Sequence, residues 1–226
     1  MTAEGQAPGD AEDRRQDWVA LVEPIRTSLD AANGAREVAL AACRRTIRAC
    51  GSSIRAVHRL QPERADALAA EALAALHVAQ DAVKPFPAVG FAGFVHDAEK
   101  EYAEAVLTAA LVAGRDLPAA SEVGVELPAW LNGLAEAASE LRRHLLDRLR
   151  AGELDVAERL LGQMEDVYEL VVSIDYPDAV TGGLRRSADA LRAVLERTRS
   201  DLTTSILQAR LQAAINTRLS EEEAAP

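Results

Sequence analysis

REVALAACRRTIRACGSSIRAVHR, residues 36–59, decides the fold class. Apolar residues recur at Leu40, Cys43, Ile47, Cys50, Ile54 and Val57, in alternating steps of three and four. That is the period of an α-helix with one apolar face. Upstream the same spacing continues through Trp18, Val22, Ile25, Leu29 and Ala32, with one irregular step near Arg36. The segment reads as one long amphipathic helix, or two in line, with Pro24 near a start and Gly34 as a weak point. Gln61-Pro62 marks its end, because the residue before a proline disfavours helix.

The remainder of the 226 residues agrees. Ala, Leu, Arg and Glu dominate, all strong helix formers, and Gly 13 and Pro 9 are too few for an all-β or α/β chain. Further helices are expected over 63–83, 89–114, 128–151, 153–174 and 183–218, the last with Thr181 as N-cap. No connecting stretch is long enough to separate domains. The reading is an all-α single domain of about six to seven helices over residues 16–218. A disordered N-terminal segment (1–15) precedes it and a frayed acidic tail (219–226) follows. No run of 18 apolar residues predicts a membrane span, and residues 1–15 have no apolar core of a secretory signal. Cys43 and Cys50 stand about 10 Å apart along one helix, so they cannot pair with each other. Two buried thiols point to a cytoplasmic protein.

The formal charge is −11, which argues against a generic nucleic-acid coat. It is unevenly spread. Residues 36–64 hold seven arginines and two acids, a net of +5, which leaves −16 elsewhere. Arg44, Arg48, Arg55 and Arg59 fall within about 60° of one another on a helix. They form a row suited to a phosphate backbone, or one that pairs with acids on neighbouring helices.

Two helices carry stacked acids. On the third, Asp97, Glu101 and Glu104 flank an apolar face of Phe91, Phe94, Ala98, Tyr102 and Ala105. Glu101 lies nearest the apolar edge and is the candidate for a raised pKa and a general base. On the fourth, Glu136 and Glu140 are four residues apart. Like charges at these spacings repel. A divalent cation between the pairs would turn repulsion into binding; two solvated acidic faces are the alternative. Other chemistries find no support. There is no phosphate-binding Gly-rich loop. His58, His77, His96 and His144 lack zinc spacing, and no Ser or Cys sits in a nucleophile context.

Several segments together resemble the translin superfamily, in particular the translin-associated factor X branch and its archaeal single-protein relatives. They are residues 36–59, Glu101-Tyr102-Ala103-Glu104-Ala105, LNGLAEAASELRR (131–143), and Asp175-Tyr176-Pro177-Asp178-Ala179-Val180-Thr181 with Gly183-Leu184-Arg185-Arg186. Residues 196–199 (ERTR) complete the set, and the resemblance runs from about residue 18 to 215. It implies an antiparallel helical bundle assembled as a hollow homo-oligomer, commonly an octamer. It also implies Mg²⁺- or Mn²⁺-dependent endoribonuclease activity on single-stranded RNA, with single-stranded DNA as a second ligand class. Glu101, Glu104, Glu136 and Glu140 then become the catalytic, metal-holding carboxylates, with Arg44, Arg48, Arg55 and Arg59 on the RNA. Glu136 stands where the family has Asp, and Ser139 where it has Gly. A non-catalytic RNA- or DNA-binding protein and an all-α Mg²⁺-dependent nucleoside triphosphate pyrophosphohydrolase are the alternatives.

Overall fold

The computed structural model describes residues 8–223, and the described residues are helical with short connections. Six long helices carry the fold: α1 (Pro8–His58), α2 (Pro62–Val83), α4 (Phe94–Ala113), α6 (Leu127–Arg150), α7 (Leu154–Val172) and α9 (Leu184–Glu223). Three single turns connect them: α3 (Pro87–Gly90), α5 (Ala120–Val123) and α8 (Asp178–Thr181). Prolines start α2, α3 and α6 at positions where a missing N–H costs nothing. Gly114 and Gly124 end α4 and α5 in left-handed conformations.

Each sequence-read helix has a counterpart, with three differences. The first helix is continuous through Pro24 and Gly34 and begins at Pro8, eight residues before the boundary read from periodicity. Residues 1–7 lie outside the described residues. At the other end α9 runs to Glu223, and 224–226 lie outside. The expected helix 89–114 is broken, because Gly93 adopts φ 92° and only Phe94 onward continues. Phe91 is therefore 88% exposed and not on the core face. Thr181 does not cap the last helix. It ends α8, where its carbonyl accepts a hydrogen bond from Asn132, and two left-handed glycines separate it from α9.

α4 and α6 lie at the centre, with α1 and α2 packed on one side and α7 and α9 on the other. Helices α1 and α2 run antiparallel, tied by buried hydroxyls. Thr46 Oγ1 donates to Ala72 O at 3.4 Å and Ser53 Oγ to Ala65 O at 2.8 Å. Much of the core is alanine, including Ala39, Ala42, Ala72, Ala79, Ala98, Ala103, Ala135 and Ala138, which lets the helices approach closely. Cys43 and Cys50 are buried in it as free thiols. Burial, with Glu99 near one and Glu101 and Glu104 near the other, pushes them to about 11 and about 12.

A 51-residue helix is about 75 Å long and its 22-residue neighbour α2 about 33 Å. The N-terminal part of α1 therefore outruns its cover. Trp18, Val22, Ile25 and Leu29, read from the sequence as part of an apolar stripe, are all exposed in the single chain, as is Leu21. Leu207, Leu211, Ile215 and Leu219 are likewise exposed on the distal part of α9.

Candidate metal centre and nucleic-acid face

The site begins with Gly133. A Cβ there would lie 2.7 Å from Ala103 Cβ, 2.8 Å from the Lys100 carbonyl and 2.9 Å from the Glu104 nitrogen. Only glycine lets the α6 backbone reach α4 at this level. The two helices run parallel, with Glu126 N donating to Glu99 near their N-terminal ends, and one turn beyond Gly133 on α6 Glu136 lies beside Lys100, Glu101 and Glu104 of α4. The side-chain ligand atoms of Glu101, Glu104 and Glu136 all lie within 4.8 Å of one another. Glu136, one methylene longer than Asp, reaches the group.

Of these three carboxylates the deepest is Glu104, not Glu101 as the helical wheel suggests. Glu104 is 9% exposed, because α6 packs over its side of α4. Burial, reinforced by Glu136, Glu101 and Glu140, pushes it to about 8. Glu101 is also raised, by burial and then by the other acids against a lowering from Lys100. Three carboxylates with one so reluctant to ionise form a donor set that a hard divalent cation would relieve. The oxygen ligands suit Mg²⁺ or Mn²⁺.

Glu140 stands apart from this group. Its Oε2 lies 2.7 Å from Nε2 of His58, whose side chain is 2% exposed. The His58 hydrogen bond holds Glu140 below the usual carboxylate range despite its burial. Asp97 also lies outside the three-carboxylate group. Two neighbours escaped the sequence reading. His58 lacks any metal spacing, and only a contact 82 residues away in sequence gives it a role. Lys100 places Nζ 2.7 Å from Glu136 Oε1. Its adjacency to Glu101, as one of only two lysines in the chain, was the available signal.

Arg44, Arg48 and Arg55 are exposed along one side of α1, and Arg59 is exposed in the turn just past its end. Arg55 donates to Ser52 Oγ at 2.8 Å. Among the described residues none of the four forms an ion pair, so the pairing with neighbouring acids does not occur within the chain. His58 projects within about 60° of Arg44 and Arg55 around the helix. The arginine row thus borders the edge where α1 meets Glu140.

The same all-helical bundle is found in solved structures of RNA-associated and related proteins. AfC3PO in a duplex RNA complex is 31% identical over 84% of this chain and 98% of that one, with a TM-score of 0.75. AfC3PO in a second crystal structure is 32% identical, with the same coverage and a TM-score of 0.73. Apo-NeC3PO shares the fold at 18% identity and a TM-score of 0.73, over 81% of this chain and 96% of that one. An uncharacterised protein of Methanocaldococcus jannaschii is 31% identical over 123 residues, 54% of this chain. The match spans about half that relative, 55% of its length. No family model matches the sequence. The chain belongs to the translin superfamily, with the C3PO and translin-associated factor X type proteins. No helix among the described residues is long and apolar enough to cross a membrane.

Proposed function

We propose that the protein is a divalent-metal-dependent endoribonuclease that binds RNA inside a hollow homo-oligomer, an octamer in the form the superfamily suggests, in the cytoplasm. The observation that carries this reading is the convergence of Glu101, Glu104 and Glu136 within 4.8 Å. The unpaired arginine row on the adjoining helix and the duplex RNA complex of AfC3PO support RNA as the ligand. Single-stranded RNA is the expected substrate. Since AfC3PO was solved with a duplex, both strand states and single-stranded DNA belong in the test.

In this reading Arg44, Arg48, Arg55 and Arg59 bind and orient successive phosphates. Glu101, Glu104 and Glu136 hold the ion. Mg²⁺ or Mn²⁺ there supplies Lewis-acid polarisation of a phosphate and a more acidic water. Glu104 must give up its proton to become a ligand, so ion binding and proton release are coupled. Glu140, kept ionised by His58, adds negative charge beside the three acids without joining them. The exposed stripes of α1 and α9 are the surfaces that another copy would cover.

The direct test incubates labelled single-stranded RNA, duplex RNA, single-stranded DNA and nucleoside triphosphates with the protein, in Mn²⁺ or in chelator. Endonucleolytic cleavage of RNA in Mn²⁺ alone supports the reading. Salt-sensitive RNA binding without cleavage in any metal would leave a binding protein. Pyrophosphate release from nucleotides without RNA cleavage would make it a pyrophosphohydrolase.

A further inference from the structure

Of the 25 basic residues only Lys84 and Lys100 are lysines. Lys100 stands among the three carboxylates. Its Nζ lies 2.7 Å from Glu136 Oε1, with the two side chains 23% and 34% exposed. A lysine is a single charge on a flexible four-carbon stem, and its three donors rotate freely. A divalent ion among the three acids would draw on the same Glu136 carboxylate. Two cations on one carboxylate repel each other, so ion entry favours turning Lys100 away.

The structure offers it somewhere to turn. A cavity of about 440 Å³ opens beside the carboxylates, lined by His96, Asp97, Lys100 and Glu136 from α4 and α6, by Gly182 and Gly183 of the turn before α9, and by Arg186 in the first turn of α9. That volume lies in the range that holds small ligands, larger than an ion needs. Arg186 is exposed and, among the described residues, forms no ion pair. Gly182 and Gly183 have φ 63° and 86°. A Cβ on Gly182 would lie 3.0 Å from the His96 ring, so the turn can sit this close only with glycine. The 40-residue α9 begins immediately after, with no acid in its first turn, and its N-terminal dipole favours an anion here. Once an ion has taken Glu136, the cavity holds two cations, Lys100 and Arg186, against one free acid, Asp97.

We propose that this cavity is a phosphate subsite for the RNA and that Lys100 is its switchable ligand. Without an ion Lys100 neutralises Glu136. With Glu136 taken, Lys100 swings to a phosphate oxygen of the nucleotide beside the scissile bond, opposite Arg186. The proposal rests on the RNA-cleavage reading and gives Lys100 a positioning role rather than a chemical one. It links occupancy of the carboxylates to RNA grip: the ion releases the lysine that holds the substrate.

Full-length wild type, Lys100→Met, Lys100→Arg and Arg186→Ala separate the outcomes. Calorimetric titration with Mn²⁺ should give Lys100→Met an affinity about tenfold above wild type, since its competitor is gone, and leave Arg186→Ala unchanged. Fluorescence anisotropy with a labelled single-stranded RNA, recorded before appreciable cleavage, reads the subsite. In chelator Lys100→Met should bind RNA like wild type and Arg186→Ala about tenfold more weakly. In Mn²⁺ both should bind about tenfold more weakly, with Lys100→Arg near wild type. Equal Mn²⁺ affinity for Lys100→Met and wild type overturns the switch. Unaltered RNA affinity of both variants in Mn²⁺ overturns the subsite. Wild type that binds Mn²⁺ and RNA but never cuts refutes the nuclease reading alone, while the variants still decide the subsite.

Discussion

At the scale of residues, Glu104 has the largest effect. Its folded pKa, pushed to about 8 by burial and by Glu136, Glu101 and Glu140, lies above its unfolded value near 4.3. The native state therefore holds a proton that the unfolded chain loses between those values. The resulting stability is complete below about pH 4 and is lost as pH rises through about 8. In chelator the melting temperature should fall by roughly 5 °C between pH 6 and pH 8.5. Glu104→Gln should flatten that slope, and saturating Mn²⁺ should reverse it. A wild-type melting temperature that rises over this interval in chelator would contradict the burial and repulsion assigned to Glu104. All four candidate glutamates were legible from the spacing of their residues, but their depth was not. Wheel angles place Glu101 nearest the apolar edge of its own helix. Which acid is buried depends on the helix that covers it, and the wheel holds no partner. For the same reason spacing groups Glu140 with the other acids, whereas His58 holds it apart from them.

At the scale of elements, the site depends on how closely α6 approaches α4. Gly133 sits against Ala103 and the Lys100–Glu104 backbone at distances no Cβ could occupy. Gly133→Ala should cost about 1–3 kcal/mol by overpacking and weaken Mn²⁺ binding, because separating the helices withdraws Glu136. Gly162, with nothing within 4 Å of its added Cβ, is the control: Gly162→Ala should bind Mn²⁺ like wild type. Thermal melts and Mn²⁺ calorimetry on both variants check this. Element type was readable throughout, since every long helix has a clear three-and-four spacing. Breaks were less so. Gly93 ends a pattern that Phe91 continues on paper, and the Gly182–Gly183 pair delays α9 past the hydroxyl of Thr181 that looks like its cap. In both places glycine takes a left-handed conformation that apolar spacing does not register.

At the scale of the whole molecule, a net charge of −11 divides into a basic row on α1 and acids gathered elsewhere. The apolar spacing of Trp18 to Leu29 is the signature of a buried face, yet those side chains are exposed in the single chain. A stripe of this kind, repeated on α9, is expected to be covered by another copy. Solution mass should be several times the 24.2 kDa of one chain. Trp18→Glu with Leu29→Glu should lower it while leaving helix content unchanged. A wild-type mass near 24 kDa would contradict the oligomer.

The most direct test of the central claim is single-turnover cleavage of a labelled single-stranded RNA across a Mn²⁺ titration, for wild type, Glu101→Gln, Glu104→Gln and Glu136→Gln. Wild type should cut only with the ion present. Each substitution should lower the rate at saturating Mn²⁺ by at least about 100-fold, with RNA binding in chelator retained. Cleavage at the wild-type rate by all three variants, or wild-type cleavage undiminished by chelator, would contradict it.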